Sequence, residues 1–181
     1  MLIPQDVITQ TERVSDQFAR LMSRSLGERI IEELDSADVT PSQLEALHHI
    51  ARHDDVTVGD IASGLEISYP SATNMVHRLE KKGLVEKLAN PKDRRAVRLR
   101  LSEDGAKVVG WLDRERSARF ALVLEGMDEW RREEFLRCMA DFILAALNTD
   151  VARPDELCLR CGYFGIEPCP IRVREGRHVC R

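Results

Sequence analysis

The sequence has no apolar run approaching the roughly 20 residues that a membrane-crossing helix needs. Its N-terminus also lacks the basic stretch and apolar core of a secretory leader, so a cytoplasmic protein is expected. No glycine-rich phosphate loop, paired catalytic carboxylates or Ser/His/Asp set stands out, and Asp54-Asp55 reads as a helix terminus. An enzyme is therefore not expected. There is no internal repeat and no low-complexity tract. A surplus of positive charge is missing too: the 181 residues carry a net charge of −4.

That deficit is uneven. Between Val56 and Leu101 there are nine Lys or Arg against five Asp or Glu, a local charge of +4, whereas the rest holds eighteen against twenty-six, or −8. Positive charge gathered in one segment is the footprint of a nucleic-acid contact, and an acidic remainder limits non-specific adhesion. With 32 % charged and 43 % hydrophobic residues the chain is globular in composition.

Helical periodicity marks 7–34, where Val14, Phe18, Leu21, Met22, Ile30 and Ile31 suit an amphipathic helix. Thr40-Pro41-Ser42-Gln43 supplies an N-cap, a first-turn proline and a capping-box glutamine for a helix burying Leu44, Leu47 and Ile50. Thr57 caps a short helix with Ile61, Ala62 and Leu65 inward. A third helix over 68–82 stops at Gly83. Two short alternating runs, 84–88 and 97–101, then flank the charged turn 90–96. Ser102-Glu103-Asp104 opens a long helix carrying Val109, Leu112, Phe120, Val123, Leu124 and Met127. Gly126-Met127-Asp128 breaks it, and a last helix carries Trp130, Phe135, Met139, Phe142, Ile143 and Leu147.

The middle of this pattern is a helix-turn-helix followed by a basic hairpin, which suits one helix for the major groove and a wing for the minor groove or backbone. Ser68 caps the candidate recognition helix. Ala72, Val76 and Leu79 face inward, which leaves Ser71, Asn74, Met75 and Arg78 on or near the exposed side. Asn can pair with adenine and Arg with guanine, each through two hydrogen bonds. Ser71, Thr73 and His77 are placed for phosphates. In the wing, Asp93 can hold Arg95 in a direction suited to a narrow, electronegative minor groove. Arg94 and Lys92 suit phosphates, and Arg98 and Arg100 serve as structural or backbone contacts. The blander alternative is a solvated surface used for protein contact. Agreement of helix, cap, glycine stop and charged hairpin favours double-stranded DNA.

Over roughly 7–148 the chain resembles the multiple antibiotic resistance regulator (MarR) family. Gly83-Leu84-Val85, then Asp93-Arg94-Arg95, then Val97-x-Leu99-x-Leu101-Ser102-x-x-Gly105 carry the resemblance. It implies a mainly α fold: six helices, a wing sheet of two or three strands, and helical dimerisation arms. It also implies a homodimer whose first and last two helices interlock on an inverted-repeat operator, usually as a repressor released by a ligand or by oxidation. Positions matching Asn74 and Arg78 commonly face the groove in that family. His48, His49 and Arg52 stand near where its effector pocket would lie, and Trp111 is a candidate lining residue or an interface packing residue. The implied organisation is a dimerisation helix at 1–38, a winged helix-turn-helix at 39–102, dimerisation helices at 103–148 and an appendage at 149–181.

The appendage departs from the family pattern. Cys158, Cys161, Cys169 and Cys180, four of the five cysteines, follow a C-x2-C-x7-C-x10-C spacing. In a cytosolic chain such clustering points to metal or redox chemistry rather than a disulfide framework. Four thiolates suit tetrahedral zinc. They also suit an iron–sulfur cluster, and the lack of a second C-x2-C keeps that alternative open. A thiol switch or haem would fit as well, and His178 could replace one cysteine. The competing overall function is a redox or electron-transfer protein built on this tail. Cys138, between Phe135 and Phe142, is expected to pack on the buried face of the last helix.

Overall fold

The computed structural model describes residues 2–33, 38–89 and 97–152, which form six helices and a two-stranded antiparallel sheet. Helix α1 runs over 5–32 as an α-helical Gln5–Arg20, a wider π-helical Leu21–Glu28 and a final α-helical Arg29–Glu32. It is followed by α2 (Pro41–Arg52), α3 (Val58–Gly64) and α4 (Tyr69–Lys81). Strands β1 (Val85–Ala89) and β2 (Val97–Leu101) come next, then α5 (Glu103–Glu125) and α6 (Glu129–Asn148). Among the described residues no helix is long and apolar enough to cross a membrane.

The caps read from sequence are in place. Thr40 and Gln43 exchange hydrogen bonds of 3.3 Å in each direction, closing a capping box at the start of α2. Thr57 and Asp60 do the same for α3, with Thr57 N–H donating to Asp60 Oδ2 at 2.8 Å. At the other end of α4, Gly83 sits at φ +70, a left-handed turn that glycine enters without steric cost. Gly83 N–H donates to Glu80 O and Leu84 N–H to Leu79 O, the paired bonds of a Schellman stop.

These three helices wrap one core. Ala46, Leu47, Ile61, Ala72, Val76 and Leu79 are fully buried, and Val56, Leu84, Val85, Leu99 and Val109 close it from the sheet and α5. Dense apolar packing of this kind fixes the angle at which α4 leaves the body, because interdigitated side chains resist small rotations.

In the sheet Val85 pairs with Leu101, Glu86 with Arg100 and Leu88 with Arg98. A single bridge from Thr57 to Arg98, with Leu99 N–H donating to Val56 O at 2.7 Å, lends the ribbon a rudimentary third member. Where the ribbon meets α5, Ser102 N–H donates to Leu84 O, the Ser102 hydroxyl donates to Gly83 O, and Gly105 N–H donates back to Ser102 Oγ. A Cβ on Gly105 would stand 2.0 Å from Leu84 O, so only glycine lets α5 begin so close to the backbone of the preceding turn.

The arms differ from expectation in one respect. Ile30, Leu112 and Leu147 are buried, but Val14, Phe18, Leu21, Val123, Trp130 and Phe142 are exposed in the single chain. Helical periodicity locates an apolar face without saying which molecule covers it. Cys138 is also exposed rather than packed, although Phe135 one turn before it meets Phe18 of α1. Its thiol donates to Glu134 Oε1 at 3.4 Å, and that bond raises the thiol pKa, which keeps it protonated.

Gly105→Ala should lower stability by about 1–3 kcal/mol, because the added methyl meets backbone rather than a flexible side chain. A urea melt would read this as a lower midpoint; an unchanged midpoint would mean that the Leu84 turn yields freely.

Candidate nucleic-acid interface

Helix α4 divides cleanly into two faces. Ala72, Val76 and Leu79 are buried to the last atom, and Met75 is half-buried against the same core. On the other side Ser71, Thr73, Asn74, His77 and Arg78 are exposed. Ser71, Asn74 and Arg78 follow one another at spacings of three and four, so they form a single polar row along the helix. Such a row can reach base edges, while the N-terminal amides can meet a phosphate.

The start of the helix is fixed by Ser68, whose Oγ accepts from Ser71 N–H at 3.2 Å and lies 2.8 Å from Ser71 Oγ. The Thr73 hydroxyl donates to Tyr69 O at 2.9 Å, which leaves its oxygen lone pairs outward. Tyr69 is 61 % exposed at the first helical position, beside the same polar row. An aromatic directly after a serine cap is the sequence signal that could have singled it out. Lys82 is spent elsewhere, with Nζ 3.1 Å from Gln43 Oε1.

The hairpin is braced from both sides. Arg100 Nη2 donates to Glu86 Oε2 at 2.8 Å across the ribbon, and Lys87 Nζ donates to Glu80 Oε2 at 2.7 Å, tying β1 to α4. Arg98 forms an ion pair with Asp55 in the loop after α2. Lys92, Asp93, Arg94 and Arg95 lie outside the described residues, as do Cys158, Cys161, Cys169, His178 and Cys180. Among the described residues no group of three His, Cys, Asp or Glu is placed to hold a metal ion.

A second site lies between α1, α2 and α5. A cavity of about 280 Å³ is lined by Met22, Leu26, Ile30, Leu44, Leu112 and the polar His48 and Arg116, among others. His48 Nε2 and Arg116 Nε are shielded from solvent, and neither has an aligned hydrogen-bond partner among the described residues. His48 Nε2 does sit 3.1 Å from Asp113 Oδ1, close enough for an ion pair when the ring is charged. Arg52 Nη2 approaches the same carboxylate at 3.6 Å. Arg52 and Trp111 are not among the lining residues; Trp111 is half-buried beside Leu112. His49 instead stacks on His53 at 4.3 Å and packs against Gly64.

Burial first, then the Arg52 and Arg116 guanidiniums, hold His48 below its ordinary value of 6.5, against the opposing pull of Asp113. The unfolded chain then binds this proton more readily than the folded one. Stability from this group is therefore full above its unfolded pKa of 6.5 and declines as the pH falls from there toward the lower folded value. In an NMR titration the His48 ring should turn over below 6.5, and His48→Gln should remove part of the acid sensitivity of a urea melt. A midpoint above 6.5 would reverse the sign and contradict the burial argument.

Comparison with known proteins places this geometry. The MarR family model matches residues 37–96, the stretch holding α2 to α4 and β1. The chain is 36 % identical over 76 residues to the HTH-type transcriptional repressor MdtR of Bacillus subtilis, covering 42 % of this chain and 49 % of that protein. The chain thus spans about half the length of MdtR. It is 33 % identical over 113 residues to an HTH-type transcriptional regulator of Mycobacterium tuberculosis, covering 62 % of this chain and 78 % of the relative. The solved structure of a MarR family protein from Bacillus stearothermophilus superposes with a TM-score of 0.66 at 26 % identity, covering 78 % of this chain and 96 % of that one. On this sequence match and this superposition, the chain belongs to the MarR family of winged helix-turn-helix regulators.

Proposed function

We propose that the protein is a homodimeric, sequence-specific DNA-binding transcriptional regulator, acting as a repressor. The observation that carries this reading is the two-faced α4: a fully buried apolar row behind an exposed Ser71, Asn74, Arg78 row, beside a braced cationic hairpin. Asn74 and Arg78 read bases in the major groove, and Ser68, Ser71, Thr73 and His77 hold the backbone. Arg95, oriented by Asp93, enters the minor groove while Lys92 and Arg94 meet phosphates. Electron transfer through the tail, the competing reading, finds no support in the family to which the chain belongs.

Dimerisation is supported by the apolar side chains that α1 and α6 leave in water, among them Val14, Phe18, Leu21, Trp130, Leu136 and Phe142. Phe18 already meets Phe135 edge-on at 6.0 Å, so the two helices share one apolar face. A second copy covering that face sets two α4 helices on an inverted repeat, with half-sites about one helical turn (~34 Å) apart. The cavity beside His48 and Arg116 receives a small anionic effector. Arg52 bears on it through the shared Asp113, and Trp111 stands next to the lining Leu112.

In the tail, Cys158, Cys161, Cys169 and Cys180 supply the thiolates for zinc, or alternatively an iron–sulfur cluster. Either ion would staple a segment too short to fold on an apolar core of its own. Metal analysis and visible absorption of anaerobically purified protein discriminate the two. Colourless, metal-free, fully active protein would remove both.

Fluorescence anisotropy with the upstream intergenic duplex at stated salt should show tight, salt-sensitive binding by a dimer. Arg78→Ala is expected to cost about 1–3 kcal/mol and to relax preference at one base pair per half-site. Arg95→Ala should weaken binding strongly with the fold intact. A strictly monomeric protein in light scattering, or one indifferent to every duplex at low salt, overturns the proposal.

A further inference from the structure

We infer that Asp55 and Arg98 form the outer anchor that aims the hairpin at DNA, which makes Arg98 a positioning residue and not a phosphate contact. This rests on the DNA-binding reading above. A two-stranded ribbon is marginal by itself and free to twist about whatever holds it. Here β1 and β2 join the body at their base, where Ser102 closes on Gly83 and Leu84. One attachment fixes a pivot; a second, farther out, fixes a direction.

Lys87 ties the middle of β1 to α4 through Glu80, and the outermost attachment is made at Arg98, one residue from the outer end of β2. The register explains why this arginine, and not its neighbour, reaches outward. Arg100 faces Glu86 across the ribbon and pairs there, whereas Arg98 faces Leu88, which offers no charge. Its guanidinium turns instead to Asp55, with both side chains partly withdrawn from solvent at 30 % and 40 % exposure. Between these two points the Leu99 N–H to Val56 O bond of 2.7 Å and the Thr57–Arg98 bridge complete the seam. Asp55 holds φ +60, a left-handed conformation that aspartate tolerates better than most residues. The loop therefore presents its carboxylate from a fixed turn rather than from a helix end.

The sign of one substitution separates this inference from the simpler view of Arg98 as one more cation on the wing. Removing an acidic charge near DNA ordinarily tightens binding. If Asp55 aims the hairpin, Asp55→Asn should weaken it, by up to about fivefold per wing and on the order of twentyfold where two wings bind together. Arg98→Gln should give the same loss, and the double variant no more than either alone. The slope of log affinity against log salt should stay as in the wild type. The charge-swapped pair, Asp55→Arg with Arg98→Asp, should recover much of the loss, which a mere folding defect would not allow.

A phosphate contact gives the opposite pattern: Asp55→Asn binds equally or more tightly, and Arg98→Gln flattens the salt slope by about 0.9 per wing. That pattern overturns the inference. Amide exchange supplies a readout without DNA: the Leu99 amide should exchange faster in Asp55→Asn than in the wild type. Unchanged exchange removes the anchor even if the wild type binds DNA well. A wild type that ignores DNA sinks the regulator reading alone and leaves exchange to decide the seam.

Discussion

Four residues hold the working parts together: Gly83 and Leu84 at the exit of α4, and Ser102 and Gly105 at the entry of α5. The left-handed Gly83 ends the helix, Leu84 begins the ribbon, and Ser102 returns the chain onto both backbone carbonyls. Gly105 permits the approach because a Cβ would collide with Leu84 O. The reading helix, the wing and the long arm thus share one small node of backbone hydrogen bonds. Any rotation of α5 is passed to the hairpin base through contacts that have little slack.

The arm is tied to the reading head at a second place, by charge. His48 and Arg52 on α2 converge on Asp113 of α5, and Arg116 lies one turn further along the same helix. Nearby, Arg119 Nη1 donates to Ser25 O at 3.1 Å, within the π-helical part of α1, and its other nitrogen pairs with Glu33. Three helices therefore meet around a cavity whose polar groups are incompletely matched. Low-dielectric surroundings make such mismatches energetically expressive, since an anion or a proton arriving there changes the balance between neighbours. This junction is where α1, α2 and α5 meet, so a change of charge there bears on all three helices.

Much of the reading head was legible in the sequence because its devices are local. A capping box needs only a threonine and an acceptor three residues on: Thr40–Gln43 forms as expected, and Asp60 completes the expected Thr57 cap. The glycine stop at Gly83 and the inward trio Ala72, Val76 and Leu79 follow from helix geometry alone. Arg98 was harder. Alternation along β2 showed that it shares a face with Arg100, but their separate partners depend on strand register and on a loop some forty residues earlier. The π-helical turns of α1 left no mark in hydrophobic spacing. Cys138 was misplaced for a related reason: periodicity set it between Phe135 and Phe142, and spacing alone does not say that this side chain stays exposed in the single chain.

The sequence by itself determined where the capped helices α2 to α5 begin, which side chains of α4 face the core, and which polar row α4 presents. Those features depend on residues three or four apart, within reach of backbone geometry. The tertiary structure alone decided that Arg98 joins Asp55, that His48 and Arg116 border a common cavity, and that α5 starts against Leu84. Each of these brings together groups distant along the chain, and only the packing of the core sets the distances between them.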